Sequence, residues 1–312
     1  MKFSFAPLEG IGQHIYRSTH AALFPGADRY YAPFIAPDGS GNCKKGDIRD
    51  VLPENNSGLS LIPQILTNSA PAFIKVADEL YEMGYGEVNL NVGCPSPTVV
   101  TKYKGAGMLR DLNSLDAFLS EIFEHCRGKI SVKTRVGMES AVEFPAILEL
   151  YNRYPIAELI IHARTKAGLY SSDIEWQAYE YAAEHSRAPL CYNGSINSEA
   201  DFSELLRRFP DTGHIMLGRG LLANPALIRR LQGGQALQCS ELKGFHDAYL
   251  AKLLESGLSP HFALSRMKEL WHYMSLRFSD CEKQLKALNK SKTLSDYEAA
   301  ASQLFRSCRF SV

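Results

Sequence analysis

The sequence predicts an α/β fold, a (β/α)8 TIM barrel over residues 1–238 followed by a small all-α helical domain over residues 239–312. Three observations predict it. Short β-type runs alternate with helical periods from the first residues onward. Most of these runs are stopped by Gly or Pro, as strands feeding loops are. After Gln232-Gly233-Gly234-Gln235 the strand signals cease and only helical periods continue from Glu241.

In order, Lys2 to Ala6 reads as strand 1, ended by Pro7, with a helix from Ile15 to Leu23. Tyr30 to Phe34 is strand 2 and Leu59 to Leu66 strand 3, with Gln64 near its end. Phe73, Val76, Ala77 and Leu80 mark a helix from Ala70 to Met83, stopped at Gly84. Strand 4 is Val88-Asn89-Leu90-Asn91-Val92, cut off by Gly93, Pro95 and Pro97. Leu115 to Cys126 is a helix and Ile130 to Gly137 strand 5. The helices Glu143 to Tyr151, Trp176 to Glu184 and Asp201 to Phe209 then alternate with strands Ala157–His162, Pro189–Asn193 and His214–Leu217.

Composition narrows the function classes. The 312 residues are 45% hydrophobic and 22% charged, ordinary for a soluble globular protein. Lys+Arg 34 balances Asp+Glu 34, so no partner is implied by global charge. The 7 cysteines are scattered without a Cys-x-x-Cys pair, which fits a reducing cytoplasm and neither a disulfide framework nor a metal site. No apolar run approaches the ~18 residues of a membrane span.

Barrel enzymes build their sites at strand carboxyl ends. There the chain collects Pro7, Leu8 and Glu9, then Gln64, Asn91 and Cys94. Lys133 and Arg135 alternate on strand 5 and so share a face; His162 and Arg164 close strand 6. Asn193-Gly194-Ser195 and Gly218-Arg219-Gly220 close the last two strands, the usual place for a phosphate site in such barrels. Glycines there let backbone N–H groups approach phosphate oxygens, and Arg219 adds a forked donor. Taken singly, a cysteine such as Cys94 is more often a packed core thiol, and Gly-Arg-Gly more often a plain turn. As a set at one barrel mouth they favour a phosphorylated cofactor or substrate, and they leave open a barrel reducing a small enone or pyrimidine, an aldolase using Lys133 as a Schiff base, and a non-catalytic RNA-binding module.

The ordered set Asn91-Val92-Gly93-Cys94-Pro95, Val132-Lys133-Thr134-Arg135, His162-Ala163-Arg164-Thr165, Asn193-Gly194 and Gly218-Arg219-Gly220 resembles the tRNA-dihydrouridine synthases. The tail, with Ser265-Arg266-Met267-Lys268 and Lys286-Ala287-Leu288-Asn289, is most similar to the C-type bacterial branch. The resemblance implies an FMN-dependent barrel with NADPH or NADH as electron donor, acting as a monomer on a D-loop uridine of tRNA. It implies hydride transfer from reduced FMN to C6 of the uracil and a proton from Cys94 to C5. An ordinary thiol, with pKa about 8.5, is protonated at neutral pH and suits that step.

The same resemblance gives the other residues their expected roles. Pro7, Leu8, Glu9, Gln64, Lys133 and His162 would hold the flavin, with Lys133 favouring its anionic reduced form. Asn193, Gly194, Ser195, Gly218 and Arg219 would hold its phosphate end. Asn91 and Arg135 would touch the uridine or its phosphate, and Arg266, Lys268, Tyr273 and Lys286 would dock the tRNA. The chain carries no Gly-x-Gly-x-x-Gly segment for the nicotinamide donor. It departs from the family pattern with Leu8 in place of Met and Ser195 in place of an acid. The C-type branch carries an Arg of its tRNA-orienting set near Ala36, where this chain has Pro33-Phe34-Ile35-Ala36, so the target position stays open.

Overall fold

A computed structural model describes residues 1–170 and 172–311 of the chain. They form two compact units that are discontinuous in sequence. One comprises Met1–Pro7, Asp28–Ser195 and Glu204–Leu217, the other Leu8–Ala27, Ile196–Ser203 and Gly218–Val312. Position 238 lies inside the second unit.

The first unit is a closed parallel barrel. Its strands are β1 (Lys2–Phe5), β2 (Arg29–Tyr31), β3 (Leu61–Ile62), β4 (Gln64–Ile65), β5 (Glu87–Val92), β6 (Lys129–Arg135), β7 (Leu159–His162), β8 (Leu190–Asn193) and β9 (His214–Leu217). Their order is β3-β2-β1-β9-β8-β7-β6-β5-β4. The expected third strand is split at Pro63, which has no N–H to donate to a ladder. Its first half pairs with β2 and its second half with β5, so one broken strand joins the two ends of the sheet. The Pro63 carbonyl still accepts from Asn89 N at 2.9 Å, which holds the break in register.

Parallel strands are covered on both faces and read as nearly continuous apolar runs. β7 and β9 are buried at every position. Ala6, Tyr31, Ile62, Ile160, Cys191 and Met216 form one cluster of this core. Outside, the helix Ala70–Glu82 is capped by Ser69, whose hydroxyl accepts from Ala72 N, and buries Phe73, Val76, Ala77 and Leu80. Each such large apolar side chain contributes about 1.5–3 kcal/mol.

A polar cluster marks the barrel's amino end. Glu158 accepts from the Tyr31 hydroxyl (3.1 Å) and pairs with His214 Nδ1 (2.6 Å), while His214 Nε2 meets Ser4 Oγ (2.7 Å). Burial pushes the Glu158 carboxyl up, but His214, Arg29 and Tyr31 together hold it below the usual range. Cys191 lies beside Glu158 and His214, and burial raises its thiol well above the ordinary value. Both carboxylate oxygens and both ring nitrogens are already hydrogen-bonded, so this cluster stabilises the barrel floor.

The second unit is mainly helical. The helix His14–Leu23 packs on Cys239–Glu255 through Tyr16, whose ring lies edge-on to Phe245 (5.3 Å) and Tyr249 (5.4 Å). Pro260–Met274 and Leu294–Ser307 meet where Trp271 Nε1 donates to the Tyr297 hydroxyl at 2.8 Å. The expectation that no strand occurs here needs one correction. β10 (Phe278–Ser279) and β11 (Arg309–Phe310) form an antiparallel ribbon, each too short to show a period-two pattern. Among the described residues no helix is long and apolar enough to cross a membrane.

Candidate active site

Cys94 follows β5 by two residues and is half-buried. Its place is set by Asn91, whose Oδ1 accepts from Gly93 N (3.0 Å) and Cys94 N (2.9 Å). Asn91 Nδ2 donates to Gln64 Oε1 (2.8 Å), Gln64 Nε2 to Asn89 Oδ1 (2.7 Å), and Asn89 Nδ2 to Ser131 Oγ (2.9 Å). Asn89 and Asn91 share one face of β5 because successive strand residues alternate. Register then brings Gln64 and Ser131 to either side of Asn89. Ala106 N closes the turn from behind by donating to Cys94 O at 3.1 Å. Gly105 has φ +56, and a Cβ there would lie 2.9 Å from that carbonyl and 3.0 Å from Cys94 Cβ. Only glycine fits both the conformation and the approach.

Lys133 is the register partner of Asn91 on β6 and is half-buried. Among the described residues no group accepts a hydrogen bond from its ammonium. Desolvation first, and Arg135 after it, pull Lys133 down to about 8 against the opposing effect of Cys191 and Cys94. The side chain is therefore charged at neutral pH and loses that charge as the pH rises through about 8.

Arg135 is buried and gives its guanidinium to backbone. Nε donates to Gly93 O (2.9 Å), and Nη1 to Thr165 O (2.7 Å) and Leu169 O (2.8 Å). It also lies 5.2 Å from the Tyr170 ring centroid. It thus ties the Cys94 turn to the loop after β7, and burial is the main cause lowering its pKa. Tyr170 is exposed and stacks on His162 at 5.8 Å; His162 is buried, with Nε2 3.3 Å from Arg164 Nη1.

Asn193 is buried and donates to Met216 O at 2.9 Å, which fastens β8 to β9. Gly194 passes so close to the Tyr192 hydroxyl that any Cβ would collide with it, and Ser195 is half-buried. Pro7 ends the barrel's first segment.

In the helical unit, Leu8 O accepts from Gly12 N (2.8 Å), Glu9 is exposed, and Gly218 precedes the short helix Arg219–Ala223. Arg266 pairs with Glu269 (2.6 Å), and Lys268 donates to Ser291 O (2.6 Å). Tyr273 is half-buried and Lys286 exposed.

The structure brings Gln64, Asn91, Cys94, Lys133 and Arg135 together across neighbouring strands. Sequence reasoning did not single out Asn89, Ser131 and Tyr170. The first two carry a legible signal, because they sit two residues before Asn91 and Lys133 on inward faces. Tyr170 lies in an aperiodic loop and carries none.

A profile described as dihydrouridine synthase (Dus) matches residues 4–305. A tRNA-dihydrouridine(16) synthase of Pseudomonas putida is 28% identical over 295 residues, covering 89% of this chain and 88% of that protein. A probable tRNA-dihydrouridine synthase of Rickettsia bellii is 29% identical over 172 residues, 53% of this chain; the match spans only about half, 51%, of that relative. Among solved structures, a variant of NCR from Zymomonas mobilis is similar with TM-score 0.53 at 14% identity, covering 80% of this chain and 92% of that one. Morphinone reductase in complex with tetrahydroNAD has TM-score 0.51 at 12% identity, covering 76% and 88%. At such identities these structures speak for the barrel fold alone. With the profile spanning nearly its whole length, the chain belongs to the dihydrouridine synthase family.

Proposed function

We propose that this protein is an FMN-dependent tRNA-dihydrouridine synthase, reducing the C5=C6 bond of a D-loop uridine with Cys94 as the proton donor. The observation that carries the reading is the Cys94 thiol, half-buried at the carboxyl end of β5, on a turn held by Asn91 and beside Lys133. When bound, FMN supplies the hydride that adds to C6, and NADPH restores it. The residues present fit that group: a cation with no acceptor among the described residues, on the strand beside the thiol's own, suits the polar edge of a flavin.

The chain's own residues do the rest. Lys133 holds positive charge where negative charge accumulates, most strongly below about pH 8. Cys94 gives its proton to C5 and is reprotonated from solvent. Asn91 and Arg135 fix the turn from which the thiol acts, a positioning role in addition to the substrate contact expected of them. Pro7, Leu8, Glu9, Gln64, His162, Asn193, Gly194, Ser195, Gly218 and Arg219 complete the cofactor set in this reading. The target base must be swung out of folded RNA to reach the thiol. A monomeric, cytoplasmic enzyme matches this substrate.

The test is the visible spectrum of the purified protein. A flavin band that NADPH bleaches and unmodified tRNA restores is the expected result. A colourless protein that stays colourless after addition of FMN would overturn the reading. A band restored by a small enone but not by tRNA would instead make it a small-molecule reductase.

Docking of the tRNA falls to the helical unit. Lys283, Lys286 and Lys290 lie on one stripe of the helix Glu282–Lys290, all exposed and without ion pairs among the described residues. Arg266 and Lys268 are engaged inside the unit, so we assign the main phosphate contacts to this stripe, with Tyr273 near the end of the preceding long helix. Changing all three lysines to Gln is expected to reduce the slope of log affinity against log salt by about 2–3. An unchanged slope would move the docking surface elsewhere.

A further inference from the structure

The loop behind Cys94 holds a tyrosine where a glycine belongs. The helix Pro97–Val100 runs into a closing turn in which Lys104 N donates to Val99 O (3.2 Å) and Tyr103 N to Val100 O (3.0 Å). This pair of bonds defines a helix stop whose penultimate residue is left-handed, a place usually taken by Gly. Tyr103 occupies it at φ +52. A side chain there costs roughly 1 kcal/mol. The ring is not repaid by burial, since Tyr103 is 57% exposed.

Its surroundings are cationic. The Arg110 guanidinium lies 5.7 Å from the ring centroid, Lys102 is exposed, and Lys104 reaches the Pro37 carbonyl at 3.5 Å. The neighbouring acid, Asp111, is engaged by Asn113 N, Ser114 N and the Ser114 hydroxyl. The same loop abuts the reactive residue, because Gly105 closes on Cys94 Cβ and Ala106 N holds Cys94 O. Tyr103 is two residues from that contact.

An exposed ring backed by a guanidinium and flanked by lysine suits a nucleobase and its phosphate. The ring stacks on any base, and the cations hold the backbone. We propose that Tyr103 is a stacking platform for an unpaired base next to the reacting uridine in the RNA, with Lys102 and Arg110 on the adjoining phosphates. The strained tyrosine then has a purpose that neither packing nor the turn supplies. This inference rests on the tRNA reading.

Tyr103→Gly tests it without endangering the fold, because glycine relaxes the turn. Tyr103→Phe keeps the ring. With unmodified tRNA transcript, Tyr103→Gly is expected to raise Kd about 10-fold and to lower kcat/KM in proportion. Bleaching by NADPH should be unchanged, and Tyr103→Phe should behave as the parent. If the parent reduces tRNA and Tyr103→Gly matches it in Kd and kcat/KM, the platform is refuted while the tRNA reading stands. If the parent is bleached by NADPH yet neither binds nor reduces tRNA, the tRNA reading fails and the platform with it.

Discussion

Cys94→Ala should cut the reduction of unmodified tRNA by about 10²- to 10⁴-fold, the range removed with a general acid. FMN should stay bound and NADPH should still bleach it. The expectation follows from geometry. The turn around Cys94 is held by backbone atoms, with Gly93 N and Cys94 N on Asn91 and Cys94 O under Ala106 N. None of these bonds uses the thiol, so its removal leaves the turn in place. Cys94→Ser should be nearly as slow, since a hydroxyl gives up its proton far less readily. Single-turnover assays starting from reduced flavin separate this loss from any change in electron supply. Turnover of Cys94→Ala equal to that of the parent would take the thiol out of the reaction.

Arg135→Ala should cost both stability and activity. Three carbonyls from two loops converge on this buried guanidinium, at 2.7, 2.8 and 2.9 Å. Hydrogen bonds to a charged donor contribute about 1.5–3 kcal/mol each, and the loops relax once they are lost. A net destabilisation of about 2–4 kcal/mol is expected, together with a fall in kcat of at least about 10-fold as the Cys94 turn loosens. Arg135→Lys should not restore either property, because a single ammonium cannot reproduce the planar fork. Thermal melting, kcat and the alkylation rate of Cys94 by iodoacetamide report the two effects separately. Unchanged melting and unchanged kcat would refute the staple.

What the sequence made legible was local. Gly93 and Pro95 announce where β5 stops, and alternation puts Lys133 and Arg135 on one face. The positions of Cys94 and Lys133 at the strand ends follow from that. Longer-range choices were not legible. Nothing near Arg135 says that its partners are the carbonyls of Gly93, Thr165 and Leu169, which only the closed barrel gathers. Nor does the run Leu59 to Leu66 say that Pro63 divides it between two neighbours, because that depends on which strands flank it. In the tail, paired segments of two residues fall below any periodicity.

The line of amides beside Cys94 has a direction. Gly93 N and Cys94 N can only donate, so Asn91 must turn its oxygen toward them and its NH₂ toward Gln64. Gln64 and Asn89 must follow suit, which leaves Ser131 accepting from Asn89. Donors that cannot accept stand at one end of the line, and a hydroxyl that can donate or accept stands at the other. The orientation of three side chains is therefore decided from the end beside Cys94. Reversing any one amide sets like against like on at least one side of it, so the turn that carries the thiol inherits a rigidity that no single bond in the line possesses.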